Sequence, residues 1–140
     1  MAADSQQAAK LYEQGCSGGH LYSCSGLGLL YAGGQGVAQS DSRALQLFQK
    51  ACEGGNYSAC SNLGVMYKDS RGVRQDYQKA VSLFDKSCES GDTVACANLG
   101  NMYLNGFGVS RDLDRAAELL KKGCDDGLQW SCNKLIGVSP

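Results

Sequence analysis

The sequence predicts an all-α solenoid in which pairs of antiparallel helices repeat along the chain. The first observation is a strict period of 36 residues, which is clearest in the cysteines. The second is that small, apolar and aromatic residues recur at helical spacing inside each period. The third is that the single proline is the last residue, so no proline interrupts a helix. The cysteines form four pairs whose members stand eight positions apart: Cys16 and Cys24, Cys52 and Cys60, Cys88 and Cys96, Cys124 and Cys132.

Composition fits this prediction and argues against several function classes. The chain has 140 residues, with 13 basic and 14 acidic side chains and a net charge of −1. We therefore expect no nucleic-acid partner. No apolar run approaches the ~18 residues that a membrane span requires. The first residues carry neither a basic nor an apolar segment, so we do not interpret them as a signal peptide; for an exported protein they indicate a mature form, or a start at which Met1 was added.

The first helix of each repeat carries the pattern Ala/Ser-Cys-x-x-Leu-Gly-x-x-Tyr, at residues 23–31, 59–67 and 95–103. The Ala/Ser, Leu and Tyr positions share one face of a helix, which predicts burial of that face. The glycine costs about 1 kcal/mol of helix propensity. Its repetition indicates that a neighbouring helix packs closely against it. We also expect Met66 and Met102 in the core, and Tyr31, Tyr67 and Tyr103 between helices.

The second helix of each repeat follows a glycine-containing turn and opens at a capping residue. The capping candidates are Ser40 or Asp41, Asp76 and Asp112. An alanine, an aromatic residue or leucine, and a cysteine then follow at intervals of four and share one face. Glycines 19, 55, 91 and 127 mark the end of these second helices.

These signals place eight helices, at 4–16, 22–32, 40–53, 58–69, 76–89, 94–104, 112–125 and 130–137. We expect a single repeat domain over residues 1–140, made of a half repeat 4–21, repeats 22–57, 58–93 and 94–129, and a terminal half repeat 130–138. The last half departs from the pattern, because Ile136 replaces the glycine and Trp130 stands where Ser58 and Val94 stood. Terminal repeats of solenoids are commonly atypical, and Trp130 is either an end cap or a contact for a partner.

The combined pattern resembles the Sel1-like repeat, an αα-hairpin related to the tetratricopeptide repeat. The first-helix pattern is followed by Gly-Val-x-x-Asp and then Lys-Ala, which fit best at Asp76 and Lys79-Ala80. The added cysteines resemble the disulfide-rich branch of Helicobacter cysteine-rich proteins. The resemblance covers residues 4–138 and implies a right-handed αα-superhelix of disulfide-stapled helix hairpins.

Two pairing schemes bring cysteines together in such hairpins. Pairing within a hairpin would join Cys24 to Cys52 and its equivalents, but it leaves Cys16 and Cys132 unpaired. Pairing at a separation of eight uses all the cysteines, so we predict Cys16–Cys24, Cys52–Cys60, Cys88–Cys96 and Cys124–Cys132. The spacing is not that of a zinc site and His20 is the only histidine, so no metal or cofactor is predicted.

Disulfides indicate an oxidising compartment. We therefore expect an extracytoplasmic protein of the bacterial periplasm or a secreted one, with the mitochondrial intermembrane space as the alternative. We expect the protein to be a monomer.

The favoured function is a non-enzymatic scaffold that binds a peptide or protein in the concave groove lined by the first helices. The groove positions that the repeat leaves free include Ser25, Gly26 and Leu29. The ligand-binding candidates are Ser61, Asn62, Val65, Ala97, Asn98, Asn101, Asn133 and Lys134. Carboxamides such as Asn62, Asn98 and Asn101 can hydrogen-bond the backbone of a bound peptide; the alternative is that they are solvated helix residues.

An enzymatic alternative rests on Ser131 and Lys134, which fit the Ser-x-x-Lys motif of penicillin-binding serine enzymes. A match of this kind is expected by chance in a chain of this composition, and the accompanying motifs are missing. The resemblance implies a β-lactam-binding protein or slow β-lactamase as the second hypothesis. A third is a structural spacer in a longer chain. We interpret His20 as a loop residue and Gly33–Gly36 as a turn, not as a catalytic base and a phosphate loop.

Overall fold

The computed structural model describes residues 2–138, which form eight α-helices and no strand. The helices are α1 (Ala2–Ser17), α2 (Leu21–Gly33), α3 (Asp41–Glu53), α4 (Tyr57–Asp69), α5 (Tyr77–Glu89), α6 (Thr93–Asn105), α7 (Leu113–Asp125) and α8 (Gln129–Val138). Their ends differ from the predicted ones by at most two residues. The prediction of an all-α repeat protein is confirmed.

The described residues divide into two compact units, one ending at Gln75 and the other beginning at Asp76. In the first unit α1 packs against α2, α2 against α3, and α3 against α4. In the second unit α5 packs against α6, α6 against α7, and α7 against α8. In each unit every helix therefore contacts its neighbours in the sequence. The single domain over residues 1–140 stays a prediction.

The second helices begin where a short polar side chain caps their first turn. In each case a side-chain oxygen accepts a hydrogen bond from the backbone N–H three residues later, at 3.0–3.1 Å: this is so for Ser40, Asp76 and Asp112. Such a bond satisfies one of the amides that a helix start leaves without a partner. Ser40, rather than Asp41, is the cap of α3.

The glycine of the first-helix pattern lies where the following helix comes closest. A Cβ atom at Gly28 would stand 2.7 Å from Cε1 of Phe48 on α3. At Gly100 it would stand 3.0 Å from Cβ of Leu119 and Cγ of Leu120 on α7. These aromatic and leucine side chains are buried. The prediction of close helix packing at the glycine is confirmed, and Met66 and Met102 lie in the core as expected.

Glycine-containing turns pack against the start of the preceding second helix within the same unit. Gly72 and Gly108 have φ angles of 73° and 75°, in the region that favours glycine. A Cβ at Gly72 would stand 2.9 Å from the carbonyl carbon of Asp41, and one at Gly108 would stand 2.6 Å from that of Tyr77. Arg71 strengthens the first contact, since its Nη2 donates to Oδ1 of Asp41 at 2.7 Å.

The structure confirms the predicted disulfides. They join Cys16 to Cys24, Cys52 to Cys60, Cys88 to Cys96 and Cys124 to Cys132. Each connects the end of a second helix to the start of the next first helix, with Cα atoms 4.6 or 4.7 Å apart. No cysteine in the described part of the chain is free.

Replacing one disulfide with alanines tests its contribution to stability. The Cys52→Ala/Cys60→Ala variant should lose about 2–3 kcal/mol of unfolding free energy, because a closed loop of about nine residues no longer restricts the unfolded chain. Urea denaturation followed by circular dichroism measures the loss. An unchanged unfolding midpoint would contradict the expectation.

A Gly28→Ala substitution tests the close approach of α3. We expect a loss of about 1–3 kcal/mol, because the added methyl group overlaps the ring of Phe48. The matched control is Gly137→Ala on α8, where a Cβ would meet no atom within 4 Å. That control should be neutral or slightly stabilising. Equal melting temperatures for Gly28→Ala and the parent protein would argue against the packing described.

Candidate functional site

One face of the first helices, which we call the variable face, carries residues that differ between repeats. Its three positions on each helix follow i, i+4, i+7 spacing and therefore lie on one side of that helix. In the first unit they are Tyr22, Gly26 and Leu29 on α2, and Ser58, Asn62 and Val65 on α4. In the second unit they are Val94, Asn98 and Asn101 on α6, and Trp130, Lys134 and Gly137 on α8. All of them are exposed or half-buried.

Two of the predicted ligand-binding residues lie elsewhere. Ser61 is 5% exposed and Ala97 is not exposed at all, so neither side chain is available to a ligand. Their position faces the helix packing: a Cβ at Gly123 of α7 would stand 2.9 Å from Cβ of Ala97. The prediction for these two residues is corrected, and Ser25, at the same position of α2, is buried as well.

Asn62 and Asn98 are the best-placed polar side chains of the variable face. Both are half-buried, and neither carboxamide has a hydrogen-bond partner among residues 2–138. A half-buried amide without a protein partner keeps its donors and its acceptor available for a ligand. Each belongs to a different unit, and each can be considered a local contact point.

Asn101 and Asn133 are already engaged within their helices. Oδ1 of Asn101 accepts a hydrogen bond from Nδ2 of Asn105 at 3.2 Å, and the same nitrogen donates to the Asn101 carbonyl at 2.9 Å. Oδ1 of Asn133 accepts from Nε2 of Gln129 at 3.0 Å. Both hydrogen-bonded pairs are exposed. A ligand would therefore compete with these intrahelical hydrogen bonds for the two carboxamides.

A cavity of about 170 Å³ lies in the first unit beside the variable face of α2. Aromatic and aliphatic side chains form much of its wall, and small polar ones complete it. The lining residues are Tyr12, Tyr22, Ser25, Gly26, Leu29, Asn56 and Ser58. Among the predicted groove positions, Ser25, Gly26 and Leu29 therefore come together at one cavity.

Ser131 is not placed as a nucleophile. Its side chain is not exposed, and its Oγ donates a hydrogen bond to the carbonyl of Leu120 at 2.7 Å. Lys134 is exposed, so the two residues of the Ser-x-x-Lys match do not share a surface. Cys132 between them is in a disulfide. A substrate carbonyl cannot reach this hydroxyl group in the observed packing, and the geometry gives the β-lactam hypothesis no support.

Between residues 2 and 138, no three histidine, cysteine, aspartate or glutamate side chains are grouped as metal ligands would be. The helices in that range are all too short or too polar to cross a membrane. His20 is exposed and precedes α2 without a side-chain capping bond.

Comparison with protein families matches the Sel1 repeat to residues 1–20, 21–56, 58–92 and 93–128. The chain belongs to the Sel1 repeat family. No curated protein sequence matches it significantly. Among solved structures, the Sel1 repeat protein from Oxalobacter formigenes is 29% identical, with a TM-score of 0.84. The match covers 94% of this chain and 54% of that one.

Two further solved structures are similar to this chain. The protective antigen c5321 of uropathogenic Escherichia coli, which displays an SLR fold, is 31% identical with a TM-score of 0.82. That match covers 96% of this chain but 32% of the antigen. This chain therefore spans about half the length of the Oxalobacter formigenes protein and about a third of the length of the antigen. Helicobacter pylori cysteine rich protein B is 25% identical with a TM-score of 0.71, over 96% of this chain and 97% of that protein.

The buried position of Ser131 can be tested by Ser131→Ala. We expect a loss of about 0.5–1.5 kcal/mol of unfolding free energy, because the hydrogen bond to Leu120 disappears. Ser58→Ala, at an exposed site on α4, is the matched control and should change little. A fluorescent penicillin should label the parent and Ser131→Ala alike, or neither. If the parent and Ser58→Ala are labelled but Ser131→Ala is not, Ser131 would be restored as a nucleophile.

Proposed function

We propose that this Sel1 repeat protein is an extracytoplasmic scaffold that binds a peptide or protein segment on the variable face of its first helices. Membership in the family supports a role in protein interaction. The observation that carries the proposal is that each unit holds a half-buried carboxamide without a partner among the described residues, Asn62 in the first unit and Asn98 in the second. Each can donate to a peptide carbonyl and accept from a peptide N–H, which suits an extended backbone of any sequence.

The positions around these carboxamides support the same proposal. Neighbouring variable-face residues such as Val65 and Val94 are uncharged and offer apolar contact next to each amide. Interfaces commonly combine apolar contact with a few hydrogen bonds that fix orientation. Asn101 on α6 and Lys134 on α8 are further candidates, while Asn133 contributes only if it leaves Gln129.

The disulfides support the proposed location. Bonds of this kind persist in oxidising compartments, and the chain is similar to a Helicobacter pylori cysteine rich protein. An extracytoplasmic protein fits both observations. We propose the bacterial periplasm or secretion as the specific place. The three similar structures come from bacteria, and none of them favours the mitochondrial alternative.

Selection of peptides from a displayed random library on the oxidised protein tests the proposal. Selected peptides should bind the Asn62→Ala/Asn98→Ala variant about tenfold more weakly, because each lost hydrogen bond contributes about 0.5–1.5 kcal/mol. Fluorescence anisotropy with labelled peptides measures the dissociation constants.

The matched control for this experiment is Gln49→Ala, which removes an exposed carboxamide from the second helix α3, away from the variable face. It should leave peptide affinity unchanged. Failure to select any peptide, or equal affinity for the parent and the Asn62→Ala/Asn98→Ala variant, would count against peptide binding on this face.

A further inference from the structure

The variable face of α2 carries two large, exposed apolar side chains. Tyr22 is 79% exposed and Leu29 is 53% exposed. The residues at the same two repeat positions on α4 are Ser58 and Val65. Tyr22 and Leu29 lie two turns apart on the same side of α2, with Gly26 between them. The first repeat thus differs from the next in the kind of contact that it offers.

Gly26 adds the ring of Tyr12 to this surface. A Cβ atom at Gly26 would stand 2.8 Å from Cζ of Tyr12, so the ring lies directly on the backbone of α2. The corresponding residues on α4 and α6 are Asn62 and Asn98, which carry side chains where Gly26 has none. The residue that corresponds to Tyr12 on α3 is Phe48, which is buried against Gly28 instead. Gly26 and half-buried Tyr12 together make a wall specific to the first repeat.

The cavity bounded by this wall has a size and polarity that select its occupant. Its volume of about 170 Å³ suits one side chain, not a whole cofactor. No charged residue lines it, and an ionised group placed there would lose hydration without gaining a partner. Oδ1 of Asn56, a lining residue, caps α4 by accepting from the backbone N–H of Ala59 at 3.2 Å, and its amide nitrogen has no hydrogen-bond partner among the described residues.

We propose that the cavity between Tyr12, Tyr22 and Leu29 is a subsite for one uncharged aromatic or aliphatic side chain of a bound peptide. Asn56 and Ser58 at the rim then face the peptide backbone next to that side chain. This inference rests on the proposed function and refines it. It states that ligands of this protein carry an apolar anchor residue that the first unit recognises.

Small probes test the subsite without any peptide. We choose 4-methylphenol, which mimics a tyrosine side chain, and 4-methylbenzoate, which has a similar ring and a negative charge. Titration followed by amide chemical shifts should give saturable changes around Tyr22, Leu29 and Asn56 with 4-methylphenol. Binding of 4-methylbenzoate should be at least about tenfold weaker. No saturable change, or equal binding of the two probes, would overturn the subsite.

Variants test whether the residues that line the cavity bind 4-methylphenol. Leu29→Asn introduces the residue found at the same position of α6, on a side chain that is mostly exposed, and should weaken 4-methylphenol binding by about tenfold. Tyr22→Ser, the residue of α4, should do the same. Val94→Ser is the matched control, because Val94 occupies the position of Tyr22 in the second unit. Unaltered binding to Leu29→Asn and Tyr22→Ser would overturn the proposal.

Selected peptides separate this inference from the proposed function. Peptides that bind should share one aromatic or aliphatic position, and Leu29→Asn should remove that preference. Peptides that depend on Asn62 or Asn98 but not on Leu29 would overturn the subsite and leave the proposed function standing. Binding of 4-methylphenol without selection of any peptide would overturn both the proposed function and the peptide subsite. The cavity would then be a site for small molecules.

Discussion

The disulfide between the end of a second helix and the start of the next first helix is the constraint on which the rest of the structure depends. Cys24 and Cys60 are completely buried, so the two bridges of the first unit also fill the core between the helices that they join. A covalent link at this point fixes the distance between two helix ends whatever their outer faces carry. The variable face can therefore change from apolar on α2 to amide-rich on α6 without loss of the underlying packing.

Much of the fold could be predicted because the period repeats every local signal. A helix boundary indicated weakly in one repeat is indicated again 36 residues later, as the caps Asp76 and Asp112 illustrate. Cysteine pairing followed from the same count. The caps of α4 and α6, Asn56 and Asp92, were missed although both are common capping residues. They directly follow the shared glycine of each short loop, at a position where the residue type varies between repeats, from His20 to Leu128.

The candidate site was less predictable. A position whose residue differs between repeats can be exposed, or it can be buried where only small side chains fit, and the sequence does not distinguish the two cases. Ser61 and Ala97 differ from each other, yet both are small because a neighbouring helix leaves no room. Ser131 illustrates the same point: it occupies the repeat position of Ala59 and Ala95, which are fully buried. The cavity beside Tyr12 could not be foreseen, since it depends on a ring that lies over the backbone of Gly26.

The position of the disulfides also determines how the chain responds to proteolysis. A cut in a short loop, such as residues 18–20 or 54–56, falls inside a disulfide-closed ring and leaves the two pieces covalently joined. A cut in a longer turn, such as residues 34–40, falls outside every ring and separates the polypeptide. Whether a cut chain stays in one covalent piece therefore depends on the glycine-containing turns. The contacts of these turns with the preceding second helix also shield the backbone at which a cut would separate the pieces.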